Sequence, residues 1–477
     1  MALPSVERRF ITDAWRDAVR TFPVRNPSSG AVIAQVADCG PEEAAEAARI
    51  AWEAFESWRA TTAFQRSELL MRWYDLILAN LAELARTMTL EMGKPIREAR
   101  GEVGYAAGFV KWYAEEAKRV HGATFPSHVG QKRPMALRQP VGPVFAVTPW
   151  NFPSAMVTRK AAPALAAGCT FVLKPAEQAP LSSLHLAELW REAGGPEGTL
   201  QVLPARDPVP LSNALMADPR IRKVTFTGST EVGRILYRKA ADTVKKISLE
   251  LGGHAPVLVF EDAELNLAVD EVIACKYRNA GQTCVCTNRI YVQAPIVEAF
   301  TEAYVAATQE LTVGDPLDEE TDIGPLVDEQ GLRKVTEHLH DAVARGAMVV
   351  AGGGPREGLF FEPTVLTGVT PDMKLMHEET FGPVAPIISF DTEEEAVRKA
   401  NDTPYGLAAY LYTNDLARAF RVSEALDYGI VGVNDGVPSA PYAPFGGVKQ
   451  SGLGREGGAW GIEEYLEVKY ISFQLPR

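Results

Sequence analysis

The sequence predicts an α/β protein built from two sets of alternating strands and helices. Three observations carry this. The short apolar strands VGPVFAVTP, CTFVLKP, LQVLP and KVTFTGS are separated by helical stretches, a pattern that pairs strands in parallel through right-handed crossovers. A second alternating set, with APVLVF and NRIYVQ as strands, follows residue 250. The chain has 477 residues, 46% hydrophobic and 23% charged, which is enough chain of ordinary composition to bury a sizeable core unaided.

The first forty residues read as extended pieces and turns. AVIAQVA, residues 31–37, follows the turn-rich NPSSG and has strand character. Pro41 opens a helix over 41–60, because Pro suits the first helical position and Glu42 and Glu43 suit the first turn. Ile50, Phe55 and Trp58 fall near one face of it. Further helices are expected over 66–92 and 96–120. In the first alternating set they fall at 156–167, 184–193 and 209–216, and in the second at 265–278 and 297–311. Residues 120–138 are poor in apolar side chains, and the C-terminal YLEVKYISFQLP alternates like a strand. Each is either an edge element that pairs with another subunit or an intramolecular loop and edge strand.

Composition excludes several classes. Forty-eight basic and 61 acidic residues give a net charge of −13, which disfavours binding to nucleic-acid phosphates. The most apolar run, 161–173, is interrupted by Pro163 and bounded by Lys160 and Lys174, short of the ~20 residues a membrane helix needs. The N-terminus carries no signal-like apolar run. Five cysteines (Cys39, Cys169, Cys275, Cys284 and Cys286) form no disulfide framework and no CxxC pair, so a reducing, cytoplasmic setting is expected. There is no HExxH. His338 and His340 are expected to face solvent from a helix, and no metal is expected.

Three segments suggest chemistry. GQTCVC places Cys284 in a glycine-started turn, where free backbone N–H groups would lower a thiol pKa. A buried inert cysteine is the plain alternative. An extended segment would point Cys284 and Cys286 the same way, allowing a reducible disulfide that switches the nucleophile off. LELGG puts Glu250 at a strand end, where a raised pKa would make it a general base, or a salt bridge would make it structural. PWNFP fixes Asn151 between rigid residues, as an oxyanion donor or as a turn former. No G-x-G-x-x-G occurs. FTGSTEVG ends a strand at Gly228 and Ser229 and opens a helix, which attracts anions, and KPAEQAP supplies Lys174 and Glu177. A glutamate beside a ribose accepts from its hydroxyls and repels a 2′-phosphate.

Nine segments in this order resemble the aldehyde dehydrogenase family: NPSSGAVIAQV, EMGKPIREAR, PWNFP, KPAEQAP, FTGSTEVG, LELGG, GQTC, EETFGPV and PFGGVKQSGLGREGG. PWNFPSAMVTRKAAPALAAGCT, YRNAGQTCVC and GIEEYLEVKY look most like its succinate-semialdehyde branch. The resemblance implies a Rossmann-like cofactor domain (1–119 and 138–249), an α/β catalytic domain (250–445) and a small β oligomerisation arm with the C-terminal tail (120–137 and 446–477). It implies Cys284 as nucleophile, Glu250 as base and Asn151 as oxyanion donor. Lys174 and Glu177 are matched to the adenosine ribose, Gly228 and Ser229 to the pyrophosphate, Glu379 and Phe381 to the nicotinamide and its ribose, and Trp150 to the cofactor at large; the cofactor is expected to be NAD, with NADP also admissible. Arg159, Arg278 and Ser439 are matched to a substrate carboxylate, and Cys286 remains the candidate redox partner of Cys284. The expected activity is oxidation of succinate semialdehyde to the diacid by a homodimer or homotetramer. The alternatives are glutarate semialdehyde, another aldehyde such as a long-chain or betaine aldehyde, or a non-catalytic protein that keeps the fold.

Overall fold

The computed structural model describes Val6 and residues 8–476. The chain builds two large sheets, and a crevice is lined by residues at strand ends of the first and by residues that precede strands of the second. The first runs in the order Gly452–Leu453, Lys246–Glu250, Lys223–Thr227, Val144–Val147, Phe171–Lys174, Leu200–Val202, Arg9–Ile11, Trp15–Asp17. Its five central strands are parallel and nearly all buried, and its outer strands are antiparallel. The second has the order Met348–Ala351, Thr364–Thr367, Val384–Phe390, Thr287–Gln293, Ala255–Val259, Ala408–Tyr412, Ile430–Val433, parallel except for its first strand. Buried strands in parallel sheets read as continuous apolar runs, which is why both sets were visible in the sequence.

The register brings strand ends level. Thr227 pairs with Glu250 and Val147 with Lys174, so the residues that follow these strands project into the crevice together. Ligands of open α/β sheets bind at such carboxyl ends.

The expected 66–92 helix is two helices, Ala63–Ala79 and Leu81–Met92, broken at Asn80, whose side-chain amide turns back to the Leu76 carbonyl. The second ends at Gly93 with φ +81°, and a Cβ there would meet Pro325 at 2.7 Å. That glycine turn aims Lys94 inward before the helix Ile96–Glu116 begins.

A three-stranded sheet stands apart: Leu466–Gln474 pairs antiparallel with Lys132–Pro140, which also pairs with Ala123–Thr124. The tail divides. Gly452–Leu453 joins the first sheet beside Glu250, and only the last strand builds the small one. His338 does not face solvent. It is buried on the helix Glu329–Ala344 between Thr380 and Glu378, and His340, two residues on and so on another face, is exposed. Among the described residues no helix is long and apolar enough to cross a membrane, and no group of three or more His, Cys, Asp or Glu is placed to hold a metal ion.

Candidate active site

Cys284 sits where two cavities meet. One, of about 320 Å³, is lined by Tyr105, Phe152, Arg159, Arg278, Ser439 and Phe445. The other, of about 310 Å³, is lined by Trp150, Gly228, Ser229, Lys334, Glu379 and Phe381. The second continues through Gln178, Val327 and Asp328 into a wide cleft of about 1260 Å³ that reaches Glu177.

The turn carrying Cys284 is held by its backbone neighbours. The helix Leu265–Tyr277 stops, and Asn279, Ala280 and Gly281 follow with φ of 53°, 56° and 74°. Left-handed residues other than glycine cost roughly 1–2 kcal/mol each, so the surroundings must fix them. Asn279 donates its N–H to the Glu98 carboxylate at 2.9 Å and its side-chain amide to the carbonyls of Asn151 and Gln282, both at 3.2 Å. Gln282 accepts from the Val327 N–H at 3.0 Å, and the Tyr410 hydroxyl donates to the Val285 carbonyl at 2.7 Å.

The thiol differs from expectation. Burial pushes Cys284 up to about 12; Arg159 and Arg278 draw it down while Glu379 and Glu250 push it up. The turn places the sulfur against an apolar cavity wall, and desolvation outweighs the backbone N–H groups that were expected to lower its pKa. A base must therefore take the thiol proton. Glu250 is buried, its Oε2 has no hydrogen-bond partner among the described residues, and its carboxyl is held well above the usual range by burial and by Glu456. Glu456 stays ionised between Lys160 and Arg159.

Asn151 is buried beside the thiol turn and donates its amide to the Gln282 carbonyl at 3.1 Å. Its own carbonyl is held by Lys94 at 2.8 Å. Lys94 is ion-paired with Glu102, whose other oxygen accepts the N–H groups of Ser154 and Ala155 at 2.9 and 3.1 Å, at the start of the helix Ala155–Ala167. Sequence reasoning assigned no role to Lys94, Glu98, Glu102 or Glu456. Glu98 and Glu102 carried a signal: two acids four residues apart on a helix face shared with Ala99, Val103 and Ala106.

Arg159, Arg278 and Ser439 line one cavity, but the two arginines are not equivalent. Arg159 is buried, 2.5 Å from Glu456, with its guanidinium 4.1 Å from the Phe445 ring. It is held by a carboxylate that it shares with Lys160. Arg278 lies 5.5 Å from the Phe152 ring, has an unpartnered buried Nε, and makes no ion pair among the described residues.

On the other side, Lys174 donates to Glu177 at 2.9 Å, and Glu177 is partly exposed on the wide cleft. The Ser229 hydroxyl accepts from the Val232 N–H at 3.3 Å and so caps the helix Thr230–Ala241, leaving the turn's backbone to meet an anion. Glu379 is pushed up to about 7 by burial and accepts the Gly253 N–H at 3.0 Å. Phe381 has φ +52° and packs edge-on against Trp150, with centroids 5.6 Å apart. This cleft suits a long ligand with a diol at either end and an anion between: carboxylates stand at both ends and a helix N-terminus in the middle.

The structure does not bring Cys286 to the site. Thr283 to Cys286 form a turn, closed by the Cys286 N–H to the Thr283 carbonyl at 3.1 Å, in place of an extended run. The Cys286 sulfur lies 3.5 Å from the Lys276 ammonium, away from the cavity wall, and all five cysteines are free thiols. The His254 ring is buried, 3.0 Å from the Leu375 carbonyl.

The model of the aldehyde dehydrogenase family matches residues 15–471. The chain is 51% identical to glutarate-semialdehyde dehydrogenase of Pseudomonas putida over 471 residues, 98% of either chain. It is 50% identical to succinate-semialdehyde dehydrogenase [NADP(+)] of Escherichia coli over 473 residues, again 98% of either chain. The crystal structure of succinate-semialdehyde dehydrogenase from Burkholderia pseudomallei superposes with a TM-score of 0.97 at 49% identity, covering 99% of this chain and 98% of that one.

Proposed function

The chain belongs to the aldehyde dehydrogenase family, and from that premise we propose that it oxidises a short aldehyde bearing a distal carboxylate to the diacid, with NAD or NADP as acceptor. Succinate semialdehyde and glutarate semialdehyde are the two candidates, as in the relatives. One observation supports this above the rest: Cys284 stands between a cavity that ends in an unpaired arginine, Arg278, and a cleft suited to a dinucleotide.

In this reading Glu250 takes the Cys284 proton as the sulfur attacks the aldehyde carbon. The hemithioacetal oxyanion receives hydrogen bonds from the Asn151 amide and from the Cys284 N–H, which donates to no other group among the described residues. The dinucleotide, when bound, supplies the hydride acceptor that leaves a thioester on Cys284. Glu250 passes that first proton to solvent and then takes one from water as the water oxygen adds to the thioester carbon; the tetrahedral adduct collapses, the C–S bond breaks to release the acid, and Glu250 returns its proton to the sulfur. Lys174 and Glu177 would hold one ribose, Gly228 and Ser229 the phosphates, and Trp150, Glu379 and Phe381 the nicotinamide end.

At the far end Arg278 and Ser439 receive the substrate carboxylate, and Arg159, pinned by Glu456, shapes the wall. Glutarate semialdehyde adds one methylene, worth only ~1–3 kcal/mol of discrimination, so both chain lengths fit this reading. The strand Leu466–Gln474 has an unpaired edge and exposes Val468 and Tyr470 at 71% and 62%, which favours a homodimer or a homotetramer built from dimers. Five free thiols fit a cytoplasmic enzyme.

The test is reduced-dinucleotide formation over a panel of aldehydes with both cofactors, in the native protein and Arg278→Ala. Losing a charge-assisted anchor worth ~1.5–3 kcal/mol should cut kcat/KM for the semialdehydes by about 10- to 150-fold and leave butanal nearly unaffected. No turnover with any aldehyde would favour a protein that keeps only the fold. Equal losses for both substrate types would point to an uncharged aldehyde.

A further inference from the structure

The cavity holding Arg278 also contains a carboxylate that the chemistry above does not use. Glu98, in the first turn of the helix Ile96–Glu116, lines the same cavity. It accepts the N–H of Asn279, the residue next to Arg278, at 2.9 Å. The other charges around it are committed. Lys94, from the loop before the helix, is paired with Glu102 and bound to the Asn151 carbonyl. Glu102, one turn further on, caps the Ala155–Ala167 helix. Arg159, across the cavity, is paired with Glu456. Arg97 and Arg100 turn outward to Asp322 and Glu319. Cys284 and Tyr105 complete the titratable wall. Arg278 and Glu98 are thus the cation and the anion of this wall that make no ion pair among the described residues, and the Arg278 charge bears on Glu98.

We propose that Glu98 determines specificity as the counter-charge of Arg278, and that an anionic aldehyde binds with one proton taken up from solvent at Glu98. The inference rests on the carboxylated-aldehyde reading and deepens it. An aldehyde tail carrying a carboxylate cannot share Arg278 with an ionised Glu98 without like-charge repulsion; a neutral aldehyde meets no such conflict. Burial already pushes Glu98 up to about 7, with Lys94 and Arg278 drawing it back. The substrate anion raises it further. The sign follows: below about pH 7 Glu98 is neutral in both states and Arg278 is free for the substrate. Above it, binding must recruit a proton, and affinity for the anion falls by at most about tenfold per pH unit.

The measurement is the ratio of kcat/KM for succinate semialdehyde to that for butanal, from pH 6 to 9. The substrate carboxylate is ionised throughout, and ionisations of Cys284 and Glu250 affect both aldehydes and cancel. The ratio should fall about tenfold between pH 7 and 9 in the native enzyme. In Glu98→Gln, which keeps an oxygen for the Asn279 N–H, it should be flat and should exceed the native ratio at pH 9. A flat native ratio, or a native slope retained in Glu98→Gln, overturns the assignment. If that variant does not fold, calorimetry of glutarate binding to the native enzyme in two buffers of different ionisation enthalpy serves instead. Uptake of about half a proton or more per site at pH 7.5 is expected, and none overturns the proposal. Arg278→Ala separates the two readings. An unchanged preference there defeats the anionic-substrate reading, whereas a lost preference with an unaltered slope in Glu98→Gln defeats the role of Glu98 alone.

Discussion

Lys94 offers a test of how the oxyanion site is held. Its ammonium is buried, paired with Glu102 and 2.8 Å from the Asn151 carbonyl. Lys94→Met keeps most of the volume and removes both contacts. Breaking a buried pair by deleting one partner costs ~3–5 kcal/mol, mostly from the charge left behind. Glu102 keeps two backbone N–H donors at a helix N-terminus, so the lower end, about 3 kcal/mol, is expected. Removing an oxyanion donor outright costs about 10²–10³ in kcat. Here Asn151 remains and its carbonyl still has the Asn279 amide at 3.2 Å, so a loss of about tenfold in kcat, with KM for aldehyde little changed, is the expected share. Glu102→Gln on the same background separates the two effects. It removes the stranded charge and should recover most of the urea stability without recovering kcat. Stability by tryptophan fluorescence and kcat at saturating aldehyde are the two readings. A kcat restored together with stability in the double variant would refute the positioning argument, because activity would then merely follow folding.

Three other outcomes follow from the same geometry. Iodoacetamide should inactivate the free enzyme about tenfold faster per pH unit from 7 to 9 without a plateau, because a Cys284 thiol at about 12 is protonated throughout; a plateau near pH 8 would contradict its burial. Glu177→Gln should raise kcat/KM for NADP relative to NAD by about tenfold, since the cleft then lacks the charge that repels a 2′-phosphate; an unchanged ratio would show that Lys174 already neutralises it. Val468→Asp with Tyr470→Asp, on the exposed strand, should lower the mass seen by light scattering to that of one chain, and an unaltered mass would move the subunit contact elsewhere.

The strands were legible because parallel strands buried on both faces leave uninterrupted apolar runs. The helices were legible by periodicity, and the missed break at Asn80 lies inside an apolar pattern that continues across it. Glu250 stood out at a strand end before paired glycines, Asn151 between prolines after a strand, and Cys284 in a glycine-started turn after a helix. What sequence could not give was charge pairing across distance. Glu456 lies nearly three hundred residues from Arg159, and nothing local marks it as the partner that ties down one of two similar arginines. The Cys284–Cys286 disulfide rested on an extended backbone, which the Thr283–Cys286 turn replaces.

The net charge of −13 says nothing about this pocket. Around Cys284 stand Lys94, Arg159, Lys160 and Arg278 against Glu98, Glu102, Glu250 and Glu456. Lys94 is committed to Glu102, and Arg159 and Lys160 to Glu456. Of these, Arg278, Glu98 and Glu250 are left to answer to a ligand, beside Glu379 in the adjoining cavity. The fixed pairs have a chemical consequence. Because Glu456 keeps its charge, it raises Glu250, and a carboxylate with a raised pKa is the stronger base. A thiol at about 12 has roughly one part in 10⁵ ionised at pH 7, so an unassisted thiolate would be too scarce. The same burial that silences the thiol at rest therefore makes attack depend on Glu250, and couples reactivity to the arrival of a substrate that presents both a carbonyl to Cys284 and an anion to Arg278.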